Sequence, residues 1–300
     1  MDRTRVTASP LPAPRDVLEL LKPVTWFPPI WAFMCGVVSS GVGVADRWSF
    51  LIAGVLLTGP LVCGTSQAVN DWFDRHVDAI NQPERPIPSG RIAGRWGLWI
   101  ACGGTALSLL VAAATGPWVY VATCLGLLCA WGYSAPPFRF KVSGIWGPAV
   151  VALTYEGLTW FTGTAIMIGA LPDIRVLIVL ALYSVGAHGI MTLNDFKAVE
   201  GDRATGLRSL PVVIGVVPAA RLACAVMAVP QAMVIALLAD WGHAIAAAIV
   251  AALLAGQAAL MPRLLRDPRG QAPWYNATGT TLYVLGMLVS ACGLGGVAGL

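Results

Sequence analysis

Apolar residues in this chain come in long runs broken by short polar segments, not in the strict alternation of a half-buried strand. Many runs reach the ~20 residues a helix needs to cross a hydrocarbon core. The alternating segments of about ten residues that build a β-barrel are not seen. The pattern predicts nine helical spans, near 25–44, 50–70, 97–115, 117–134, 146–170, 174–193, 212–238, 243–262 and 280–298, with Gly, Pro and charge marking the breaks. The expected fold class is all-α, a polytopic membrane bundle of about nine transmembrane helices. We read it as one membrane-embedded domain over 1–300, with 1–22 as a polar N-terminal tail.

Composition agrees. Hydrophobic residues make up 57% of the 300 and charged ones 11%, against roughly 25% charged in soluble domains. The tail is Pro-rich and carries Arg3, Arg5, Arg15 and Lys22, unlike a cleavable signal. Seven cysteines lie in apolar stretches without CxxC or Cys/His spacing, so neither disulfides nor zinc are expected. The net charge of +4 is too small to indicate a nucleic-acid partner. It is informative by side of the membrane. With the N-terminus cytoplasmic, all but Arg47, Arg175 and Arg221 of the 19 Lys and Arg fall in the tail or in cytoplasmic loops, as the positive-inside rule requires.

That topology puts the two long polar loops, near 71–95 and 195–211, in the same compartment. Each begins where a span ends in Asn-Asp. The first reads Asn70-Asp71-Trp-Phe-Asp74-Arg-His-Val-Asp78. On a continued helix at 100° per residue, Asp74 lies about 60° and Asp78 about 20° from Asp71. Three carboxylates stacked on one face repel each other. A divalent cation relieves this, and hard Mg²⁺ prefers oxygen ligands, commonly one or two carboxylates plus phosphate. In the second cluster Asp202 follows Asp195 by seven residues, again about 20° apart. Glu200 is off that face. Arg85, Arg91, Arg139 and Lys141 lie between the clusters, available to a phosphate or serving topology alone.

The motifs then carry a resemblance. Asn70-Asp71-x-x-Asp74-x-x-x-Asp78 followed by Asn81-x-Pro83-x-Arg85-Pro86-x-Pro88-Ser89-Gly90 resembles the first signature of the UbiA family of intramembrane prenyltransferases, and Asp195 to Gly206 resembles the second. The segments Lys22-Pro-Val-Thr-Trp-Phe-Pro28, Tyr133-Ser-Ala-Pro-Pro137, Asn194 to Pro211 and Thr154-Tyr-Glu-Gly-Leu-Thr-Trp-Phe161 are similar to its chlorophyll and bacteriochlorophyll synthase branch. Ala198 departs from relatives outside that branch, where the position is acidic, so metal ligation by the second cluster rests on Asp195 and Asp202.

The resemblance implies a reaction. A geranylgeranyl or phytyl diphosphate esterifies the propionate of bacteriochlorophyllide or chlorophyllide in the cytoplasmic, photosynthetic membrane, with membrane lipid as the surroundings. It implies Mg²⁺ on Asn70, Asp71, Asp74, Asp195 and Asp202, with Asp78 part of the catalytic set. Arg85, Arg91, Arg139, Lys141, Lys197 and Arg203 are the expected diphosphate contacts. Tyr133, Tyr155 and Trp160 are candidates to face an allylic cation, or else ordinary packing. Glu156 and His188 sit within spans, where ionisable groups suggest function. Glu156 orients a pigment or is a neutral core acid; His188 ligates the pigment's magnesium or packs between helices. Two other readings remain: another acceptor in the same family, such as an aromatic quinone precursor or haem, and a non-enzymatic pigment-binding or transport protein.

Overall fold

The computed structural model describes residues 11–45 and 47–297. Arg3 and Arg5 of the tail lie outside them. Among the described residues there are helices and no strands, the nearest approach being an isolated bridge between Ser143 and Arg208. The chain runs through α1 (Pro14–Leu20), α2 (Phe27–Ser39), α3 (Trp48–Asn81), α4 (Trp96–Thr115), α5 (Pro117–Ser134), α6 (146–168), α7 (Ile174–Asp195), α8 (Val199–Thr205), α9 (Leu210–Ile214), α10 (Val216–Asp240), α11 (Ala244–Arg266) and α12 (Pro268–Leu294). Each of the nine expected spans falls on a helix. Six stretches (α3, α4, α7, α10, α11 and α12) are long and apolar enough to cross a membrane.

Three departures have local causes. Helix α3 does not stop at 70 but continues through the acidic motif to Asn81, which makes the assumed helical geometry of that motif real. Helix α12 begins at Pro268, not near 280. Its N-terminus is set by Pro268 at the first position and by the Asp267 carboxylate, which accepts from the Gly270 amide at 3.1 Å. The polar first turns are held by partners: Arg263 donates to Gln271 at 2.8 Å, and Asn276 to Asn194 at 3.0 Å. The tail, finally, contains α1, which docks through Leu20 onto Ala68, Val69, Ile92 and Ala101.

Close packing positions the helices. Gly36 of α2 and Gly163 of α6 face each other so tightly that a Cβ on Gly36 would stand 2.0 Å from the Trp160 carbonyl oxygen, and one on Gly163 2.1 Å from that of Phe33. Small residues at such crossings let membrane helices approach closely. The core behind this crossing is aromatic. Trp160 stacks on Tyr183 at 5.8 Å, and Tyr183 meets Tyr283 edge-on at 5.3 Å. Two π-helical turns interrupt the bundle, Leu57–Cys63 in α3 and Leu153–Leu158 in α6. The first contains Pro60, which has no N–H to give the α-helical ladder. Such turns concentrate at functional sites, and these two meet: Cys63 and Gln67 both bond the Tyr155 hydroxyl, at 3.3 and 3.2 Å.

Candidate functional site

At one end of the bundle a cavity of about 850 Å³ opens between α3, α5, α6, α7 and α8. The face of α3 toward it carries Asn70, Asp74, Val77, Asp78 and Asn81, the last two turns of which are polar because α3 has left the apolar zone. Asn194 and Asp195 end α7, and Asp202 comes from α8. Arg139 and Lys141 come from the turn after α5. The two loops are stitched together by backbone: the Gly144 amide donates to the Arg208 carbonyl at 2.8 Å, and the Arg208 amide to Val142 at 3.0 Å. A Cβ on Gly144 would come within 2.4 Å of the Leu210 nitrogen, so only glycine permits this approach. Residues of both acidic clusters thus line one cavity.

The first cluster carries its own counter-charges. Asp71 is 1% exposed; Lys22 Nζ donates to its Oδ1 at 2.7 Å and Arg85 at 3.3 Å. Arg85 also binds Asp78 at 2.7 Å. Lys141 pairs with Asp74, which also accepts from Asn70 at 2.9 Å. The second cluster is different. Asp202 accepts from Ser209 at 2.6 Å. The side chain of Asp195 has no hydrogen-bond or ion-pair partner among the described residues. Lys22 (φ 47°) and Arg139 (φ 44°) are the non-glycine residues with left-handed backbones among those described. That conformation costs on the order of 1 kcal/mol or more, and such outliers gather at functional sites.

Chemically this is an oxygen-rich basin facing cations. Asn70, Asp74, Asp195 and Asp202 supply the hard donors that Mg²⁺ takes. Of these the Asp195 carboxylate has no other partner among the described residues, so the set fits a divalent cation; the buried, unpartnered Oδ2 of Asp71 lies behind the wall and is not part of it. Among the described residues, however, no three carboxylate, His or Cys side chains are close enough together to hold one.

Several predicted site residues are placed elsewhere. Asp71 lies behind the cavity wall, under Lys22 and Arg85. Arg91 is a correction. It spans Asp16 at 2.7 Å and both Glu19 oxygens at 2.6 and 2.7 Å, so it clamps α1 and does not face the cavity. The paired charges hold the Glu19 carboxyl below its usual value and the guanidinium above its own. Lys197 and Arg203 point to solvent from the far side of their turns. Trp160 is a core residue at 0% exposure, its Nε1 donating to Ser39 at 3.0 Å. Glu156 is buried in the π-helical turn, with Oε2 unpartnered and facing neither cavity. His188 lines a separate apolar groove of about 500 Å³ between α6 and α7, its Nε2 3.2 Å from the Ile145 carbonyl. Glu200 pairs with Arg269 at 2.7 Å on the surface, which draws its carboxyl down. Tyr133 and Tyr155 do line the main cavity.

Lys22 is the participant that sequence reasoning left out of the site. Its motif was legible, but its reach to Asp71, 49 residues away, was not. Gln67 was also missed. Its signal is spacing, since it stands one turn before Asn70 on the same helix face.

Comparison with known proteins places the arrangement. Residues 27–294 match the UbiA prenyltransferase family. A protein of Cereibacter sphaeroides named bacteriochlorophyll synthase 33 kDa chain is 58% identical over 287 residues, 96% of this chain and 95% of its own. The chloroplastic chlorophyll synthase of Oryza sativa is 37% identical over 91% of this chain and 75% of its own. The solved structure of a UbiA homologue from Archaeoglobus fulgidus bound to GPP and Mg²⁺ superposes with a TM-score of 0.67 at 21% identity, over 93% of this chain and 96% of that one.

Proposed function

The chain belongs to the UbiA prenyltransferase family, and from that premise we propose that it esterifies the propionate of bacteriochlorophyllide, or chlorophyllide, with a geranylgeranyl or phytyl group from the diphosphate. The observation that carries this is the pairing of 58% identity to a bacteriochlorophyll synthase with a cavity that is acidic and cationic at one end and apolar at the other. The same relatives favour the tetrapyrrole acid over a quinone precursor or haem as acceptor. The chain is an integral membrane protein; the basic-residue bias supports an orientation with the cavity mouth cytoplasmic.

The acceptor carboxylic acid, with a pKa near 4 like Asp or Glu, is already ionised at neutral pH. No enzyme base is needed. What the protein must supply is positioning and stabilisation of the leaving diphosphate. Asn70, Asp74, Asp195 and Asp202 would hold Mg²⁺, which supplies Lewis-acid neutralisation of the diphosphate charge when bound. A Mg²⁺- and GPP-bound relative of the same fold is consistent with this. Arg139 and Lys141 bind diphosphate oxygens directly. Asp78 stays on Arg85 and keeps the end of α3 charge-balanced, and Asp71 orients Lys22 and Arg85 from behind. Tyr133 and Tyr155 face the allylic carbon, where a ring stabilises developing positive charge. The apolar walls of the cavity keep out water that would otherwise capture that cation.

The test is direct. Purified protein with Mg²⁺ receives both pigment acids, both long-chain diphosphates and a hydroxybenzoate, and products are resolved by mass. Esterified pigment is expected. Prenylated hydroxybenzoate with no pigment ester refutes the reading.

A further inference from the structure

The course of the cavity sets a length. At the polar end Asn70 donates to the Ser134 hydroxyl at 3.0 Å, pinning α3 to α5. Eight residues deeper on each helix come Val62 and Gly126. At 1.5 Å per residue that is about 12 Å along both, and the two do meet there: a Cβ on Gly126 would stand 3.6 Å from Val62 Cγ1 and 3.9 Å from Leu158 Cδ1. Both line the cavity, and so does Thr58, four residues deeper on α3 within its π-helical turn. The cavity therefore continues past a level where one wall has no side chain.

An extended isoprene unit covers about 5 Å, from carbon–carbon bonds of about 1.5 Å. Measured from an allylic carbon beside Asn70, two units end above the Val62–Gly126 level, and four must pass it to reach Thr58. We propose that Gly126 is the specificity-determining residue for the donor: its missing side chain admits a twenty-carbon isoprenoid, and a larger residue there confines the enzyme to ten-carbon donors. The neighbouring Cys129 and Ala130 keep that stretch of the α5 wall small, between Gly126 and Tyr133. This deepens the prenyl-transfer reading above and rests on it.

The test is a competition reaction with equimolar geranylgeranyl and geranyl diphosphates and bacteriochlorophyllide. The ratio of the two esters is read by mass, and it does not depend on how much of each variant is folded. In Gly126→Leu the C20-to-C10 ratio falls about tenfold or more relative to wild type, the scale on which a hydrophobic site discriminates by bulk. Val62→Phe, projecting from the facing helix, lowers it in the same way. A Gly126→Leu ratio within about twofold of wild type overturns the proposal. Should that variant yield neither ester, Gly126→Ala decides, since its methyl meets only ordinary van der Waals contacts. A fall of about two- to threefold supports the proposal, and an unchanged ratio overturns it. Wild-type protein that esterifies neither donor refutes the underlying reaction instead, so the two failures are told apart.

Discussion

Asp195→Asn is the cleanest perturbation this site allows. The substitution keeps the shape of the side chain and removes one negative charge. Because the Asp195 carboxylate has no bonded partner among the described residues, its loss breaks no contact that holds the fold. The side chains lining the cavity comprise four carboxylates (Asp74, Asp78, Asp195 and Asp202) against Arg139 and Lys141, a net charge of minus two. A diphosphate adds more negative charge, so binding without a cation is unfavourable. One unit charge about 4 Å from a divalent ion contributes about 8 kcal/mol at an effective dielectric near 20. Desolvation of the carboxylate offsets several kcal/mol of this, leaving about 3 to 4. Apparent Mg²⁺ affinity should therefore fall about 10²- to 10³-fold. The assay titrates Mg²⁺ against turnover, and in parallel against binding of a non-hydrolysable prenyl diphosphate analogue. Both midpoints move together if Asp195 helps hold the metal. A midpoint within about threefold of wild type, at any turnover, removes Asp195 from the ligand set.

Two further outcomes follow from packing and from charge. Gly36→Ala drives a methyl to 2.0 Å from the Trp160 carbonyl oxygen, so α2 and α6 must part by more than about 1 Å; overpacking of this kind costs about 1–3 kcal/mol, and the detergent-solubilised protein should unfold at lower temperature, whereas an unchanged midpoint refutes the crossing. Glu19 has its carboxyl lowered below the ordinary 4.5 by Arg91; a lowered folded value stabilises above the unfolded one and is lost as pH falls through it, so an acid-active protease should cut near α1 increasingly as pH falls below 4.5, and Arg91→Gln should show the same cleavage already above that pH.

Apolar length was the strongest signal in the sequence, and it located a helix at every expected span because, without the alternating pattern of a barrel, only a helix satisfies the backbone in lipid. It failed where polarity and helicity coexist. The end of α3 and the start of α12 read as loops because Asp78, Asn81, Gln271 and Asn276 are polar, yet both are helical once caps and partners are found across the bundle. The acidic clusters were legible because helical spacing is an internal property of a segment. Arg91 was misread for the opposite reason. A basic residue near a phosphate motif says only that charge is present, and its partners, Asp16 and Glu19, lie more than seventy residues earlier. Trp160 was ambiguous for want of depth. It stands five residues after Tyr155 on one helix, and only the Gly36–Gly163 crossing decides which of the two is swallowed by the core.

The distribution of partners within the site supports the proposed division of labour. Each acid of the first cluster is already neutralised by the chain: Asp71 by Lys22 and Arg85, Asp78 by Arg85, Asp74 by Lys141. Buried charges without such partners cost several kcal/mol each, so the pairing lets three carboxylates stack on one helix end before any substrate arrives. The cavity-lining charged groups left without ionic partners among the described residues are the acids Asp195 and Asp202 and the guanidinium of Arg139. The acids need a cation and the guanidinium an anion, and all three line the same cavity. A metal–diphosphate pair meets both needs at once, and it also offers Lys141 an alternative to Asp74, freeing that carboxylate for the metal. The Lys141–Asp74 pair is then a placeholder for the bound state, exchanged rather than created when the donor enters, while the Asp71 and Asp78 pairs stay in place.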